Sequence, residues 1–259
     1  MALSWRGFYA IVDPDVCAGD PLAVADAFLR GGCAVLQLRH KSAADPADQG
    51  KKSAADPADQ GKKSAADPAD QGKKSAPDPA DSVEKSTDDR SRSAGSIAGD
   101  RATLALARAL SAKCRAARVP FVMNDRLDLA LLADADGLHL GQDDLPIAEA
   151  RRFFRGPIGV STHDLAQLTR AIADGADLVG FGPVFATSTK KNPDPVVGLD
   201  GLAAACRAAT VPVVAIGGID RERARACFGV GAALVAAIGA TCAADDPEAA
   251  ARALHEVAA

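Results

Sequence analysis

Eight short apolar runs rich in β-forming residues recur along the chain, and a stretch of helical character follows each one. The runs are Phe8–Val12, Val35–Arg39, Phe121–Met123, Gly137–Leu140, Ile158–Ser161, Leu178–Phe181, Val213–Ile216 and Ala233–Ala237. The helical stretches are Pro21–Arg30, Ala102–Arg118, Arg126–Ala133, Pro146–Phe154, Asp164–Asp174, Leu199–Ala208, Asp220–Phe228 and Pro247–Val257. Strict alternation means βαβ units, and a strand reached by a helical crossover lies parallel to its predecessor. Eight such units predict an α/β fold, a closed (β/α)8 TIM barrel, rather than an open doubly wound sheet. The composition suits it. Hydrophobic residues make up 48% of the chain and aromatic ones only 4%. Ala, Val, Leu, Ile and Gly therefore form the interior, as in buried parallel strands beneath Ala-rich helices. Small turn residues before several strands (Gly31–Gly32, Gly175, Gly231) suit helix C-caps.

One stretch stands outside this alternation. Residues 40–81 use an 11-residue unit almost four times, with KKSAADPADQG as its repeated form. A stacking repeat needs an apolar face, and this unit offers only alanine. In every copy an Asp precedes a Pro, which disfavours the helical region at that Asp. Dense charge and low hydrophobicity leave too little burial to offset chain entropy. The polar run continues to residue 100, so Ser42–Asp100 is expected to be a flexible low-complexity insert after the second strand. The domain organisation predicted is one TIM-barrel domain over residues 1–259, interrupted by that insert. Without it, 200 residues remain, a compact size for a barrel.

The net charge of -4 argues against nucleic acid or an anionic membrane surface as the main partner. No apolar run approaches the ~20 residues of a membrane span. The start MALSWRGFYAIVD lacks a basic region followed by a long apolar one, so no signal peptide is expected and the location expected is cytoplasmic. Six cysteines (Cys17, Cys33, Cys114, Cys206, Cys227, Cys242) lack metal-ligand spacing, and free thiols are the expectation.

The polar motifs fall where strands end. The second strand runs into Gln37-Leu38-Arg39-His40-Lys41, the third into Asn124-Asp125-Arg126, the fourth into Gly141-Gln142-Asp143-Asp144 and the fifth into Ser161-Thr162-His163. The sixth leads to Gly182-Pro183 and then Thr187-Ser188-Thr189-Lys190, the seventh to Gly217-Gly218, and the eighth to Ala236-Ala237 before Ile238-Gly239. In barrels of this kind chemistry belongs to the C-terminal face of the strands. Arg39 and Lys41 supply positive charge and donors suited to phosphate oxygens. Asp125 and Asp144 come from adjacent strands, and two carboxylates with waters and phosphate oxygens suit Mg2+. Asp125 could instead cap the following helix, and Asp143 could take the place of Asp144. Thr187, Ser188, Thr189 and Lys190 form a polar loop that could also be an ordinary solvated turn. Gly217-Gly218 lets backbone N–H groups approach a ligand closely, at a position where this fold often binds phosphate. His139 lies inside a strand and reads as a core residue. His40 and His163 border the site, and His255 sits on the last helix.

The motifs QLRHK, NDRLDLAL, ADGLHLGQDDLP, IGVSTH, GADLVGFGPVFATSTKK and VPVVAIGGI resemble the thiamine phosphate synthase family, in order and at family-like spacing. The resemblance covers about residues 7–41 and 101–241. It implies a transferase of thiamine biosynthesis. Its small-molecule substrates would be 4-amino-2-methyl-5-(diphosphooxymethyl)pyrimidine and 4-methyl-5-(2-phosphoethyl)thiazole or its carboxylated tautomer, joined to give thiamine phosphate and diphosphate. By position, Gln37, Arg39, Lys41 and Asn124 would hold the pyrimidine diphosphate, with Ser161 also in contact. Leu38, His40 and Ser188 would belong to the same substrate-binding loops. Asp125 and Asp144 would ligate Mg2+. Thr187, Thr189 and Lys190 would meet the thiazole phosphate and the diphosphate, and Gly218, Ala236 and Ala237 would hold the thiazole phosphate. The implied chemistry is dissociative: diphosphate leaves first, and the thiazole nitrogen captures the cation. Arg39, Lys41, Lys190 and the metal would stabilise the leaving group.

Two features depart from the family pattern. Ala237 stands where the family usually has Ser, and the insert begins one residue after Lys41. Two rivals are a thiazole tautomerase of the same fold, which needs no diphosphate-bound metal, and a non-catalytic phosphate-ligand sensor whose insert recruits a partner. Homo-oligomerisation is left open.

Overall fold

The computed structural model describes residues 6–40, 89–187 and 194–258. Eight parallel strands close into a barrel in sequence order: β1 Gly7–Val12, β2 Val35–Leu38, β3 Phe121–Asn124, β4 Gly137–Leu140, β5 Ile158–Thr162, β6 Leu178–Phe181, β7 Val213–Ala215 and β8 Leu234–Ala237. The helices are α1 Pro21–Arg30, α2 Asp89–Ala117, α3 Leu127–Leu132, α4 Ile147–Ala150, α5 Leu165–Ala173, α6 Gly198–Ala208, α7 Arg221–Gly229, α8 Gly239–Cys242 and α9 Pro247–Glu256. The expected barrel is the observed one: its strand edges move by one residue, and α4 ends at Ala150, four residues before the expected Phe154. Closure rests on β1 pairing with β8, with Gly7 opposite Leu234 and Ala10 opposite Ala237.

Two differences from the sequence reading are larger. First, α2 begins at Asp89, within the stretch assigned to the insert. Ala107, Leu110 and Cys114 are fully buried at helical spacing and anchor the helix. Once such a turn exists, adding residues at its N-terminus is far cheaper than nucleating a new helix. Residues 89–100 thus belong to the barrel's second helix, and the Asp100 carboxylate takes two N–H bonds from Arg126 at 2.7 and 3.3 Å. Second, α8 is a separate four-residue helix between β8 and the last long helix. Its sequence is GATC, too short for any apolar period to show.

Four helices start alike. Asp20, Asp164, Asp220 and Asp246 each accept a hydrogen bond from a backbone N–H of the first turn, at 3.2, 2.7, 2.9 and 2.9 Å. Such caps contribute about 1 kcal/mol each. The main core lies between strands and helices. There Phe8 of β1 meets Phe28 of α1 edge-on, with ring centroids 5.9 Å apart at 84°. The second core fills the barrel itself, with Tyr9, Ile11, Val35, Val122, Leu178, Val214, Leu234 and Ala236. All six cysteines are free thiols, and burial pushes Cys33, Cys114 and Cys227 up to about 12.

The face where strands begin uses carboxylates structurally. Asp136 accepts from the Phe121 amide at 2.9 Å and Asp177 from the Ile158 amide at 2.8 Å, so each closes the first N–H of a strand. Arg151 pairs with the same Asp177 carboxylate. Replacing Asp177 by Ala should leave the buried Ile158 amide without its acceptor and lower stability by about 1–3 kcal/mol. Urea unfolding measures this, and the rim chemistry at the opposite face should be unaffected.

Candidate active site at the barrel rim

Side chains alternate along a strand, so residues two apart share a face. Val35 and Val122 pack inside the barrel. Two positions on, Gln37 and Asn124 point inward as well, near the C-terminal ends of β2 and β3. His139 lies opposite Asn124 in register and Gly159 opposite His139, which brings Ser161 of β5 to the same side. A polar layer thus caps the apolar barrel core. Its first part is a hydrogen-bond relay: the Tyr9 hydroxyl donates to Gln37 Oε1 at 2.7 Å, and Gln37 Nε2 donates to Asn124 Oδ1 at 3.0 Å. All three residues are buried, and burial raises the Tyr9 phenol far above its usual range. The relay commits the Asn124 oxygen and leaves its amide nitrogen as the donor end.

Arg39 follows β2 and forms an ion pair with Asp13, which directly follows β1. Asp13 is only 1% exposed. A guanidinium has five N–H donors, so one buried carboxylate can fix its direction while donors remain for an anionic ligand. The sequence reading passed over Asp13. Its signal was an acidic residue at a strand's C-terminal end, the same signal that singled out Asp125.

Asp125 adopts a left-handed backbone conformation, φ 61°, and its amide donates to the His139 carbonyl at 2.7 Å. That bond ties the end of β3 to β4. The residue at the N-cap of α3 is Arg126, with no side-chain cap, so the capping role considered for Asp125 is not what the fold uses. Asp144 turns back on its own loop, where Oδ2 accepts from the Gly141 amide at 2.6 Å. A Cβ on Gly141 would lie 2.8 Å from that oxygen, so glycine is what lets the carboxylate sit there. Asp144 is half-buried and Asp143 exposed. The two carboxylates at the β3 and β4 ends, Asp125 and Asp144, offer hard oxygen donors. Among the described residues no group of three or more His, Cys, Asp or Glu is placed to hold a metal by itself.

His139 Nε2 lies 2.9 Å from Ser161 Oγ. Its Nδ1 is buried with no hydrogen-bond partner, beside Gly159, whose added Cβ would come within 2.7 Å of it. Burial lowers the imidazole to about 4, and the Asp144 charge opposes that shift without reversing it. The ring is therefore neutral near pH 7. Sequence reasoning read it as a core residue, yet it stands in the polar layer as the support of Ser161. Gln142 Nε2 donates to the Ser161 carbonyl at 2.6 Å, fixing the same residue from the loop side.

On the far side, Gly217 and Gly218 have φ of 91° and 63°. A Cβ on Gly217 would meet Pro183 at 2.5 Å, and one on Gly218 would meet the Ala186 carbonyl at 2.4 Å. No larger residue fits that crossing. Arg223 donates to the Gly218 carbonyl at 2.8 Å and lies 5.0 Å over the Phe185 ring, pinning the turn from outside. Ala236 faces the barrel interior. Ala237 and Leu38 are buried in the strand–helix layer instead, so only their backbones can meet a ligand. The Ala237 carbonyl accepts from Thr241 Oγ1 in α8 at 3.1 Å. His40 Nδ1 lies 2.7 Å from Thr103 Oγ1, away from the polar layer. Thr187 is half-buried at the end of the described part of the β6–α6 connection. Lys41, Ser188, Thr189 and Lys190 lie outside the described residues.

The lowered imidazole has a consequence for stability. Between about pH 6.5 and about pH 4 the unfolded chain takes up a proton on this histidine and the folded chain does not. Folding is therefore weakened as pH falls through that window, by on the order of 2–3 kcal/mol. Urea midpoints measured at about pH 7 and about pH 5 should show the loss, and His139→Gln should reduce it.

A family model described as thiamine monophosphate synthase matches residues 91–241. A thiamine-phosphate synthase of Chlorobium luteolum is 46% identical over 163 residues, covering 62% of this chain and 76% of the relative. One from Chloroflexus aurantiacus is 49% identical over 142 residues, covering 54% of this chain and 66% of the relative. The match to a Synechococcus thiamine-phosphate synthase, also 49% identical, covers 60% of this chain and spans less than half of that relative, 44%. Among solved structures, the thiamine phosphate pyrophosphorylase of Pyrococcus furiosus superposes with a TM-score of 0.70 at 25% identity, covering 99% of this chain and 97% of that one.

Proposed function

The chain belongs to the thiamine monophosphate synthase family, and from that premise we propose that it joins a pyrimidine-methyl diphosphate to a thiazole phosphate, releasing diphosphate. The observation that carries this reading is the inward polar layer of Gln37, Asn124, His139 and Ser161, flanked by Arg39 on one side and by Asp125 and Asp144 on the other. Such a layer offers donors to a heteroaromatic ring. Its flanks offer a fixed guanidinium and two carboxylates to a diphosphate and its counter-ion.

Each group has a physical task. Gln37 and Asn124, locked by Tyr9, present directed amide donors that need no reordering when substrate arrives. Arg39, held by Asp13, can place two parallel N–H bonds on phosphate oxygens. Ser161, supported by neutral His139, adds a hydroxyl without adding charge. Asp125 and Asp144 would hold Mg2+. The donor set fits that ion: two carboxylates leave most positions of an octahedral shell for water and diphosphate oxygens. When bound, the ion neutralises charge that grows on the departing diphosphate. Arg39, together with Lys41 and Lys190 from the sequence, would share that charge. Bond breaking before bond making is the natural order here, since the site offers a leaving group stabilised on several sides and no protein nucleophile is called for. Gly218, with Ala236 and Ala237 through their backbones, would receive the second phosphate at the opposite rim, and Thr187 and Thr189 would close on it.

The test is direct. Purified protein given both substrates and Mg2+ should form thiamine phosphate and diphosphate, and a chelator should abolish the product. No product with Mg2+ present would overturn the assignment, and isomerisation of the thiazole phosphate alone would favour the tautomerase. Asp13→Asn should raise the KM for the pyrimidine diphosphate about tenfold, because Arg39 then loses its charged anchor.

A further inference from the structure

Two of the free cysteines meet at the rim, and the roles given above leave both unused. Cys17 lies in the β1–α1 loop, and Cys242 ends α8. The Ala18 amide donates to the Cys242 carbonyl at 3.0 Å, and the Cys17 amide donates to the Asp13 carbonyl at 3.0 Å. These bonds hold the two backbones beside each other where β1 and β8 close the barrel. The two thiols are hydrogen-bonded to each other, and the Asp13 backbone N–H faces both sulfurs. The Cys242 thiol also reaches the Ile11 carbonyl at 3.0 Å. Cys242 is fully buried and Cys17 is half-buried, so a small reagent reaches the pair through Cys17. The bond from Cys242 holds the Cys17 thiol below its usual range, against partial burial and the Asp13 and Asp20 charges. Cys242 moves the other way, pushed up by its bond to Cys17 and by burial. The remaining cysteines, Cys33, Cys114, Cys206 and Cys227, are all raised, chiefly by burial.

We propose that Cys17 and Cys242 form a peroxide-reactive dithiol site, in which Cys17 attacks a hydroperoxide and Cys242 closes a disulfide between the β1–α1 loop and α8. A thiolate is the attacking form, and a partly exposed thiol beside a second one is the arrangement that redox-reactive cysteines share. The Cys17 sulfur bonds one oxygen of hydrogen peroxide, the O–O bond breaks, and the other oxygen leaves as water. Cys17 is then a sulfenic acid. The Cys242 sulfur displaces that oxygen: an S–S bond forms, the S–O bond breaks, and a second water leaves. Both thiols are oxidised and the peroxide is reduced, so two thiols and one peroxide give one disulfide and two waters. A small thiol reverses the step by exchange. The site goes beyond the function proposed above and does not depend on it.

The experiment treats the reduced full-length chain with hydrogen peroxide, alkylates it while unfolded in urea, and reads the digested peptides by mass spectrometry. A peptide pair linked through Cys17 and Cys242 should appear, lighter than its separate halves by the hydrogens lost, and dithiothreitol should abolish it. Cys33, Cys114, Cys206 and Cys227 should stay alkylated. Cys242→Ser removes the resolving thiol, so Cys17 should accumulate as a sulfenic acid that a cyclic 1,3-dione traps. Cys17→Ser should slow peroxide consumption by about tenfold or more, because only raised thiols remain. Cys206 sets the comparison, since it is half-buried like Cys17 but raised. Oxidation of Cys206 as fast as Cys17 would overturn the proposal. So would a parent chain whose Cys17 stays alkylated after peroxide, or a disulfide that joins Cys17 to a second copy of the chain. The parent spectrum decides between these outcomes even if a variant fails to fold.

Discussion

Everything at the rim depends on the closure of β1 against β8. A closed ring of parallel strands delivers all eight C-terminal ends to one face. It also leaves half of every strand's side chains inside a space too narrow for solvent. The lower part of that space is apolar, from Tyr9 and Val35 round to Leu234. The upper part need not be, because it opens to the loops. Buried polar groups are tolerated only when bonded, which is why Tyr9, Gln37 and Asn124 come as a relay rather than singly. Among the described residues the exception is the Nδ1 of His139, and it coincides with a depressed imidazole.

The rim divides its electrostatic labour by strand. Positive charge enters after β2 with Arg39, and negative charge after β3 and β4 with Asp125 and Asp144. Neutral donors lie between them. Asp13 makes the arrangement workable: without it Arg39 would be a long side chain losing much rotamer freedom on binding. The other rim, after β6 to β8, relies on backbone. There Gly217 and Gly218 cross close under the Pro183–Ala186 turn, and Arg223 holds them by a carbonyl.

Much of this was legible in the sequence, because strand–helix alternation is a local signal. It places Gln37, Asn124 and Ser161 at the C-terminal ends of strands. Three things were not legible. Asp13 carries the same strand-end signal as Asp125, but its role comes from Arg39, 26 positions away. The polar role of His139 was hidden by its place inside an apolar run. The start of α2 was hidden because residues 89–100 carry glycine and serine, and only packing further along makes them helical. Each failure concerns a partner distant in sequence, where local propensity is silent.

The His40–Thr103 contact, 2.7 Å between Nδ1 and Oγ1, joins the chain just before the repeats to the helix just after them. The contact thereby brings together the two chain segments that flank the 11-residue units. Doubling such a loop costs only about 0.6 kcal/mol in closure entropy. By closure entropy alone, the span between two ends held this close matters far less to the fold than the seam that holds them.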